Sequence, residues 1–412
     1  MPKNLLILAE SIDPNDSSGT KGRVALINNL AKAGFQITVL HYTRRNISLK
    51  GIKTIMIKER KFNLYYLLSK IQKFLYKWFN LNIGDRVEQL LGFSFTFFND
   101  SKSMSKALNK FPLNDYDQLW TLSKGNSYRT HKAVLNLPHW HNKWFAYVHD
   151  PYPQQLYPRP YNFVPSGYKQ KRNFFRKITE KSFRVIFPSL TLKEWMQSYY
   201  VDIAEKSIIV PHQITIFDKK VSHPNYFNSK LFNILHAGNL LDLRDPSPLI
   251  SAYLQFIVKH PEAKSNSKLL IIGNTGAFTN EIKTIMKINS NIYSSLGYEN
   301  YEVTRKMQQD ASINVILEAK SEISPFLPGK FPHCVAADKP IVLIGPYYSE
   351  SKRLLGEDYL YSHNFTNIEK IAESFSKLYL QWKKNPEGFN LDRSGLDYYL
   401  GVEYLSKVLN KV

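Results

Sequence analysis

The pair His149-Asp150 ends the segment 144–149, whose apolar and aromatic residues predict a buried β-strand. In open α/β sheets the carboxyl ends of the strands face the ligand-binding crevice. A histidine there can donate a hydrogen bond to a hydroxyl group, and a neighbouring aspartate can fix its tautomer. His149 and Asp150 are therefore candidate catalytic residues, with a structural histidine bonded to a loop as the alternative. His139 and His141 could form a metal site with His149, but no thiolate or Cys/His framework accompanies them, and we expect no metal.

Glycine-containing turns follow several predicted strands and form candidate ligand-binding loops. Gly19 and Thr20 lie between the first apolar run and a predicted helix, and Gly238, Gly273 and Tyr298 lie in or beside later turns. Glycine lets backbone N–H groups approach an anion or a sugar closely. The loop at Gly19 is neither a P-loop nor a complete G-x-G-x-x-G motif, so a flexible loop with a helix N-cap is its alternative.

Two cations are candidates for binding phosphate. Arg244 comes just before a predicted helix, where its guanidinium can clamp a diphosphate; a solvated loop arginine is the alternative. Lys330 belongs to the segment 321–341, which predicts a loop, a short helix and a strand. Free N–H groups and the positive end of the helix dipole would then lie near this lysine. Both positions indicate a phosphate site in the second half of the chain.

The scaffold for these residues is predicted to be α/β. Short β-branched runs alternate with helical stretches, which is typical of parallel sheets covered by helices. The first group of predicted strands covers residues 5–9, 36–41, 54–57, 118–122, 144–149, 184–188 and 207–211. The second group covers residues 232–237, 269–272, 292–296, 313–317 and 341–344. Predicted helices include residues 23–33, 246–259, 304–309, 368–383 and 396–409.

The chain is long for one hydrophobic core. A core stops growing at about 250–300 residues, and this chain has 412. A polar stretch separates the two groups of strands and is typical of an interdomain linker. We therefore predict a first Rossmann-like lobe over residues 1–217, a linker over 218–230, a second Rossmann-like lobe over 231–385 and a helical tail over 386–412.

The composition excludes some classes of protein. A hydrophobic fraction of 43% is too high for a disordered chain, and the single cysteine, Cys334, cannot form an intramolecular disulfide. A reducing compartment, the cytoplasm, is expected. The apolar run at residues 5–9 is too short for a signal peptide or a membrane span. The net charge of +21 suggests a polyanionic partner or phosphorylated substrates. No nucleic-acid-binding signature is present, so we expect no nucleic-acid partner.

One segment predicts contact with a membrane surface. Between residues 64 and 78, apolar and aromatic side chains recur at helical spacing beside Lys70, Lys73 and Lys77. Residues 168–184 add seven basic residues and one glutamate. A basic, aromatic, amphipathic helix can lie on an anionic membrane. The alternative is that the apolar stripe packs into the first lobe.

Taken in order, these features resemble the retaining GT-B glycosyltransferases of group 1, the family of mannosyl- and sucrose-phosphate-type enzymes. Gly19-Thr20 resembles the first glycine loop of the family, His149 its active-site histidine, and Gly238 the start of its donor-diphosphate turn. The phrase at residues 330–341, with its Lys-Pro-Ile ending, is the most specific part of the match. The similarity of order and spacing covers nearly the whole chain.

The resemblance implies a fold and an activity. Two Rossmann-like lobes would face a central cleft, with C-terminal helices crossing back to the first lobe. A hexosyl group would move, with retention and without metal, from a nucleoside-diphosphate sugar to a glycan or lipid-linked acceptor in cell-surface polysaccharide synthesis. No cofactor is implied, because the nucleotide sugar is a substrate. The implied donor-binding residues are Gly19, Thr20, Gly238, Asn239, Arg244, Gly273, Tyr298, Phe326, Gly329, Lys330 and His333.

The chain also departs from the family pattern. Asn239 occupies a position where the family often has arginine, and Pro325 and His333 occupy the positions of its two glutamates. The second glutamate usually holds the ribose hydroxyls, a role that a ring nitrogen of His333 can take. Two alternatives therefore stay open: a sugar-nucleotide epimerase on the same fold, and a catalytically silent, basic binding module.

Overall fold

The computed structural model describes residues 3–217, 219–241, 243–386, 389–392 and 395–411. The chain divides into two compact units. The first contains the chain up to Tyr157, then Tyr161–Gln213, and the C-terminal segment from Val402 onward. The second contains Pro158–Pro160 and Ile214–Gly401. Apart from the short segment Pro158–Pro160, the chain passes from the first unit to the second after Gln213 and returns after Gly401.

The first unit is built on a seven-stranded parallel sheet with the order β3-β2-β1-β4-β5-β6-β7. On β1, Leu6 and Leu8 pack into the core on one face of the sheet, and Leu5 and Ile7 pack into the core on the other. Burial on both faces explains why its strands are continuous apolar runs. The strands are β1 Asn4–Ala9, β2 Gln36–His41, β3 Lys53–Met56, β4 Gln118–Leu122, β5 Trp144–Tyr147, β6 Arg184–Phe187 and β7 Ser207–Ile209.

Eight α-helices lie in the described part of the first unit before residue 214. The Ser17 side chain caps the first of them by accepting a hydrogen bond from the backbone N–H of Thr20 at 3.2 Å. These helices are α1 Ser18–Lys32, α2 Leu64–Phe79, α3 Gly84–Leu91, α4 Phe95–Leu108, α5 Arg129–Leu135, α6 Tyr168–Lys181, α7 Leu190–Gln197 and α8 Ile203–Lys206.

The second unit contains a six-stranded parallel sheet with the order β10-β9-β8-β11-β13-β15, and β12 pairs with β14 beside it. The strands are β8 Phe232–Ala237, β9 Ser267–Ile272, β10 Ile292–Ser294, β11 Ile313–Leu317, β12 Ile323–Ser324, β13 Ile341–Ile344, β14 Tyr348–Ser349 and β15 Ser362–His363. The helices are α9 Ser247–Lys259, α10 Ala263–Asn266, α11 Thr279–Ile288, α12 Tyr301–Asp310, α13 Phe331–Ala336, α14 Glu350–Leu355, α15 Ile368–Lys384 and α16 Leu396–Tyr399.

The C-terminal tail is divided between the two cores. Leu396 and Leu400 are buried in the second unit, whereas α17, Val402–Asn410, buries Leu405 and Leu409 in the first unit beside α1. The sequence predicted one helix over residues 396–409, and that prediction was wrong. The helix is interrupted at Gly401, where a Cβ atom would collide with the carbonyl oxygen of Asp397. This interruption lets the chain leave one core and enter the other.

All of the predicted strands are confirmed within two residues of their observed ends, including the one predicted at residues 144–149. That strand ends at Tyr147, so His149 lies two residues beyond it. The helix predicted at residues 23–33 begins at Ser18, because Ser17 supplies the cap. The two-residue strands β12, β14 and β15 carry no periodic pattern, and the sequence did not reveal them. No helix in the described part of the chain is long and apolar enough to cross a membrane.

Candidate active site

The topology of the second sheet defines where a ligand can bind. Strand β8 lies between β9 and β11, so the chain turns to one side after β8 and crosses to the other side before β11. In open α/β sheets the ligand crevice lies outside the carboxyl ends of the strands at such a reversal of strand order. Gly238 follows β8 and Glu318 follows β11, so both lie at this point.

Two glycine turns pack backbone against backbone at the strand ends. Gly238 has a φ of +156°, and a Cβ there would lie 2.6 Å from the Lys330 Nζ atom. Gly273 has a φ of +133°, and a Cβ there would lie 2.7 Å from the carbonyl oxygen of Gly238. Asn239 joins the turns, because its Oδ1 accepts a hydrogen bond from the Asn274 N–H at 3.0 Å. The predicted residues Gly238, Asn239, Gly273 and Lys330 therefore form one cluster.

The amino group of Lys330 lies over the ring of His236. The Nζ atom is 3.4 Å from each ring nitrogen, and His236 is completely buried with its Nδ1 3.1 Å from the carbonyl oxygen of Val315. Burial, with the nearby Lys330 charge, holds the pKa of His236 well below its usual range, so the ring is neutral. Burial and the charge of Arg244 lower the pKa of Lys330 to about 7. An anion in this place would restore the charge of the lysine.

Arg244 supplies a second cation on the loop before α9. Its Nη1 donates to the carbonyl oxygen of Asn239 at 3.3 Å. Its Nε is buried and has no hydrogen-bond partner. A buried donor without a partner costs free energy unless a ligand satisfies it. Arg244 therefore has donor capacity available in the same cluster as Lys330.

Glu318 is the acidic member of the cluster, and the sequence analysis missed it. The side chain is 3% exposed; its Oε1 accepts from the Ser351 hydroxyl at 2.6 Å, while Oε2 has no partner. Burial raises its pKa to about 7. A Cβ on Gly345, which follows β13, would lie 2.8 Å from Oε2. Its position directly after a predicted strand was the available signal, but that signal points to the site only once β8 and β11 are known to be neighbours.

The remaining predicted donor residues of this unit lie around the cluster. Gly329 directly precedes Lys330, and Phe326 lies in the loop between β12 and α13. The His333 Nε2 is 3.3 Å from the hydroxyl of Tyr301 on α12. Tyr298 is 81% exposed in the loop after β10. The aromatic ring beside His333 is that of Tyr301, with centroids 5.8 Å apart.

In the first unit, His149 and Asp150 do not form the predicted pair. The Nε2 of His149 is buried without a partner, and its ring lies against Tyr147 with centroids 4.4 Å apart. Burial and the charge of Arg23 hold its pKa well below the usual range. The Asp150 carboxylate hydrogen-bonds instead to the Tyr157 hydroxyl, and burial raises its pKa to about 6. The expectation that Asp150 fixes the tautomer of His149 was wrong, because the two consecutive side chains have different surroundings.

Gly19 and Thr20 lie in the first turn of α1 and not in a preceding loop. The Thr20 hydroxyl accepts from Arg23 Nη2 at 2.5 Å. Arg23 is buried and also donates to the carbonyl oxygens of Ser11 at 3.1 Å and Ser123 at 2.8 Å. This arginine ties the loop after β1 to the loop after β4, so the segment has an architectural role. The sequence gave no sign of it.

Comparisons with known proteins agree with this architecture. No protein-family model and no curated protein matches the sequence. Solved structures match over nearly the whole chain. A glycosyltransferase from Rickettsia africae ESF-5 is 13% identical, with a TM-score of 0.55 and coverage of 99% of this chain and 94% of that one. A UDP-forming trehalose-phosphate synthase from Burkholderia xenovorans is 11% identical, with a TM-score of 0.63 and coverage of 100% and 98%.

A third match is WaaG, a glycosyltransferase involved in lipopolysaccharide biosynthesis. It is 10% identical, with a TM-score of 0.54 and coverage of 97% of this chain and 100% of that one. At such identities the likeness shows the fold. Two parallel sheets of Rossmann type, matched over their whole length to these structures, confirm the predicted GT-B fold.

Proposed function

We propose that this protein is a glycosyltransferase that uses a nucleoside-diphosphate sugar. The observation that carries the proposal is the convergence of Arg244 and Lys330 on the glycine turn at Gly238, at the strand-order reversal of the second sheet. A diphosphate there satisfies the buried Nε of Arg244 and charges Lys330. The fold shared with known glycosyltransferases supports the same assignment.

The chemistry follows from the charge that develops on the leaving group. Departure of a nucleoside diphosphate builds negative charge on the β-phosphate, and each preorganised donor typically lowers the barrier by about 3–4 kcal/mol. Arg244, Lys330 and the backbone N–H groups near Gly329 would supply this stabilisation, a task that a divalent cation performs in other sites. The proposal therefore includes metal independence and, by the resemblance, retention at the transferred sugar.

His149 contacts the transferred sugar in this proposal. Its buried Nε2 has no partner, so it can hydrogen-bond to a sugar hydroxyl. The neutral ring is suited to this role because its low pKa keeps it uncharged near neutrality. Gly19 and Thr20 support the region around His149. Arg23, whose charge acts on His149, joins the first turn of α1 to the loops after β1 and β4.

The test is ligand-induced thermal stabilisation. UDP, GDP and ADP are added without metal and with EDTA, and CMP serves as a monophosphate control. A ligand at 100 times its Kd stabilises by about 2.7 kcal/mol. We expect one diphosphate to stabilise the wild type, with the effect lost in Arg244→Ala and Lys330→Met. Lys259→Met, at an exposed lysine of α9, is the matched control and should behave as wild type.

The outcomes separate the alternatives. No stabilisation by any diphosphate would overturn the proposal and favour the silent binding module. A diphosphate that stabilises all variants equally would place the site elsewhere. If the donor sugar is released as a changed nucleotide sugar without an acceptor, the protein is an epimerase, which product analysis by mass spectrometry reveals.

The acceptor is proposed to be a glycan or a lipid-linked glycan presented at an anionic membrane, in cell-surface polysaccharide synthesis. Helix α2 packs on α4, where Tyr65 stacks on Phe98 with centroids 5.1 Å apart. The opposite face of α2 is an apolar stripe, and its members are 43–69% exposed: Leu64, Leu67, Ile71, Phe74 and Trp78. The stripe therefore does not pack into the first unit and is available to a membrane.

Basic residues lie beside this stripe. Lys70, Lys73 and Lys77 are exposed on α2. The basic helix α6 packs against α3, since Lys171 Nζ is 2.8 Å from Glu88 Oε2. Each lysine or arginine near an anionic bilayer contributes about 1 kcal/mol of attraction. A cytoplasmic protein on the inner face of the membrane is the proposed location.

Vesicle sedimentation tests this part of the proposal. We expect binding to vesicles of phosphatidylglycerol and phosphatidylcholine at low salt, weaker binding at high salt, and no binding to phosphatidylcholine alone. Phe74→Ser with Trp78→Ser should weaken binding at least about tenfold, from the lost apolar burial. Val258→Ser, at an exposed apolar residue of α9, is the control. Equal binding by both variants would exclude α2 as the contact.

A further inference from the structure

A cavity of about 430 Å³ opens in the first unit at the carboxyl ends of β1, β2 and β4. Strand β1 lies between β2 and β4, so this is the strand-order reversal of the first sheet. The volume is in the range of small-molecule sites. All of the lining residues belong to the first unit, so the cavity is distinct from the cluster around Lys330.

Charged side chains of both signs line the cavity. Three of the lining residues are cations and four are carboxylates: Arg44, Arg45, Lys124, Glu10, Asp13, Asp16 and Asp100. Each of the three cations already has a carboxylate partner in this set. Arg44 pairs with Asp100 at 3.1 Å, Lys124 pairs with Asp16 at 2.5 Å, and Arg45 pairs with Asp13. The cavity is thus nearly neutral in a protein of net charge +21.

The buried carboxylates lie deeper in the cavity than the positively charged side chains. The side chains of Asp13 and Asp100 are 5% and 8% exposed, whereas those of Arg44 and Arg45 are more than half exposed. Carboxylates therefore form the floor, and guanidinium groups form the rim. Asp100 also accepts a hydrogen bond from the Tyr42 hydroxyl at 2.8 Å. Burial raises the pKa of Asp100.

The arrangement suits hydroxyl groups better than phosphate. A sugar hydroxyl donates one hydrogen bond and accepts others, so it can donate to a floor carboxylate and accept from a rim guanidinium. A phosphate would compete with a carboxylate for a cation that is already paired, and it would then lie near that carboxylate. The two negative charges would repel each other.

The cavity also lies beside the proposed membrane helix. Asn63 caps the start of α2, and its Nδ2 donates to the Oδ1 of Asn99 at 2.7 Å. Asn99 directly precedes Asp100 on α4. The floor of the cavity, at Asp100, is therefore connected to the beginning of α2 through α4.

We propose that this cavity binds the acceptor as an uncharged, polyhydroxylated sugar and discriminates against phosphorylated sugars. Its role as the acceptor site rests on the proposed function, whereas the selectivity of binding does not. Asp16 is the residue that the test uses, because it is the most exposed of the carboxylates that pair with the three cations, and its partner Lys124 is 46% exposed.

The test measures sugar binding by saturation-transfer NMR. The probes are methyl glycosides of glucose, galactose, mannose and N-acetylglucosamine, their 1→4 disaccharides, and the matching 6-phosphates. We expect at least one neutral probe to bind wild type about tenfold or more tightly than its 6-phosphate. Asp16→Asn removes the carboxylate partner of Lys124 and should lower the ratio of the affinity for the neutral sugar to that for its 6-phosphate. Asp16→Lys should make the 6-phosphate the tighter ligand.

Matched controls are available in the second unit. Glu302 forms a comparable exposed ion pair with Lys219, so Glu302→Gln and Glu302→Lys change the net charge by the same amounts. Both should retain the wild-type ratio. Circular dichroism confirms that each variant is folded.

Three results would overturn the proposal: no binding of any neutral probe, tighter binding of the phosphates by wild type, or ratios that the Asp16 variants leave unchanged. The nucleoside-diphosphate test runs on the same proteins. If the protein discriminates between the sugars but binds no nucleotide, the glycosyltransferase proposal is rejected and the cavity proposal stands. If it binds a nucleoside diphosphate but does not discriminate between the sugars, the cavity proposal is rejected and the glycosyltransferase proposal stands.

Discussion

At the residue scale, the cluster around Lys330 combines groups whose ordinary charges are suppressed by burial. Lys330 and Glu318 both titrate near pH 7, the first shifted downward and the second upward. In water both side chains would be charged at pH 7, because the ordinary pKa is 10.5 for the lysine and 4.5 for the glutamate. Their surroundings make the protonation of the site sensitive to an incoming anion. That sensitivity gives two measurable consequences.

Nucleoside-diphosphate affinity should fall as the pH rises above about 7. The groups around Lys330 are Arg244, Glu318, Cys334 and the neutral ring of His236. A bound diphosphate raises the pKa of Lys330, so binding takes up a proton above pH 7. Linkage then predicts a loss of up to about tenfold per pH unit for that proton. Isothermal titration at pH 6.5, 7.5 and 8.5 measures it.

Lys330→Met should bind the nucleoside diphosphate more weakly than wild type. Its affinity should also lose the part of the pH dependence that comes from the lysine. Glu318 ionises in the same range and adds a slope of the same sign, because its negative charge opposes the phosphate. Glu318→Gln should therefore keep the contribution of Lys330. A wild-type affinity that does not change between pH 6.5 and 8.5 would contradict the assignment of Lys330 to the phosphate.

Glu318→Gln should also stabilise the folded protein above neutral pH. The ordinary pKa of this carboxyl is 4.5 and burial raises it to about 7, so the folded chain holds a proton that the unfolded chain loses between these values. The free energy of unfolding therefore falls as the pH rises through this window. We expect the variant to be more stable than wild type by about 1–3 kcal/mol at pH 8, with little difference at pH 5. Urea unfolding at both pH values measures it, and a variant less stable at pH 8 would reject the prediction.

At the element scale, the packing of α6 against α3 depends on one close backbone contact. Gly167, just before α6, has a φ of +69°, and a Cβ there would lie 2.6 Å from the Cα of Gly92 at the end of α3. The side chain of Gln170 on α6 donates to the carbonyl oxygen of Gln89 at 2.8 Å. This contact holds the basic helix α6 beside the helices that carry the exposed apolar residues.

Gly167→Ala should destabilise the first unit and weaken vesicle binding. The added methyl group meets backbone, which cannot move without separating α3 from α6, so a loss of about 2–4 kcal/mol is expected. Gly51→Ala is the control, since Gly51 has a φ of +72° but nothing within 4 Å of a Cβ. Its cost should be about 1 kcal/mol. Equal losses of stability in urea would show that the positive φ, and not the helix contact, dominates.

At the scale of the whole molecule, the C-terminal tail contributes to the hydrophobic packing of both units. Leu400 and Leu405 are five residues apart and both completely buried, yet the first belongs to the core of the second unit and the other to that of the first. Proximity in sequence therefore gives no information about which core a substitution affects. The interruption at Gly401 decides it.

Leu405→Ala should destabilise the first unit, and Leu400→Ala the second. Each substitution removes a fully buried side chain and should cost about 2–5 kcal/mol. Hydrogen exchange followed by mass spectrometry should show faster exchange in β1, β2 and α1 for Leu405→Ala. It should show faster exchange in β11, β13 and α13 for Leu400→Ala. The same pattern in both variants would mean that the two cores unfold as one unit.

The sequence by itself determined the longer strands and their order along the chain. Strands buried on both faces are long apolar runs, so their period and length are visible without a structure. The bounds of Gln36–His41 and Phe232–Ala237 were predicted to the residue for this reason. Arg244, Lys330 and the glycine turns were also visible, because a cation just before a helix and a glycine just after a strand are local signals of an anion-binding site.

Only the tertiary structure decided which of these residues meet. It brought Glu318 close to Lys330 and Arg244, and it gave Asp150 and His149 different partners. It also assigned the two parts of the tail to different cores and placed the charged cavity at the first sheet. Each of these outcomes depends on which strands are neighbours and which face of a helix is covered. Such contacts join residues far apart in the chain, and local periodicity carries no record of them.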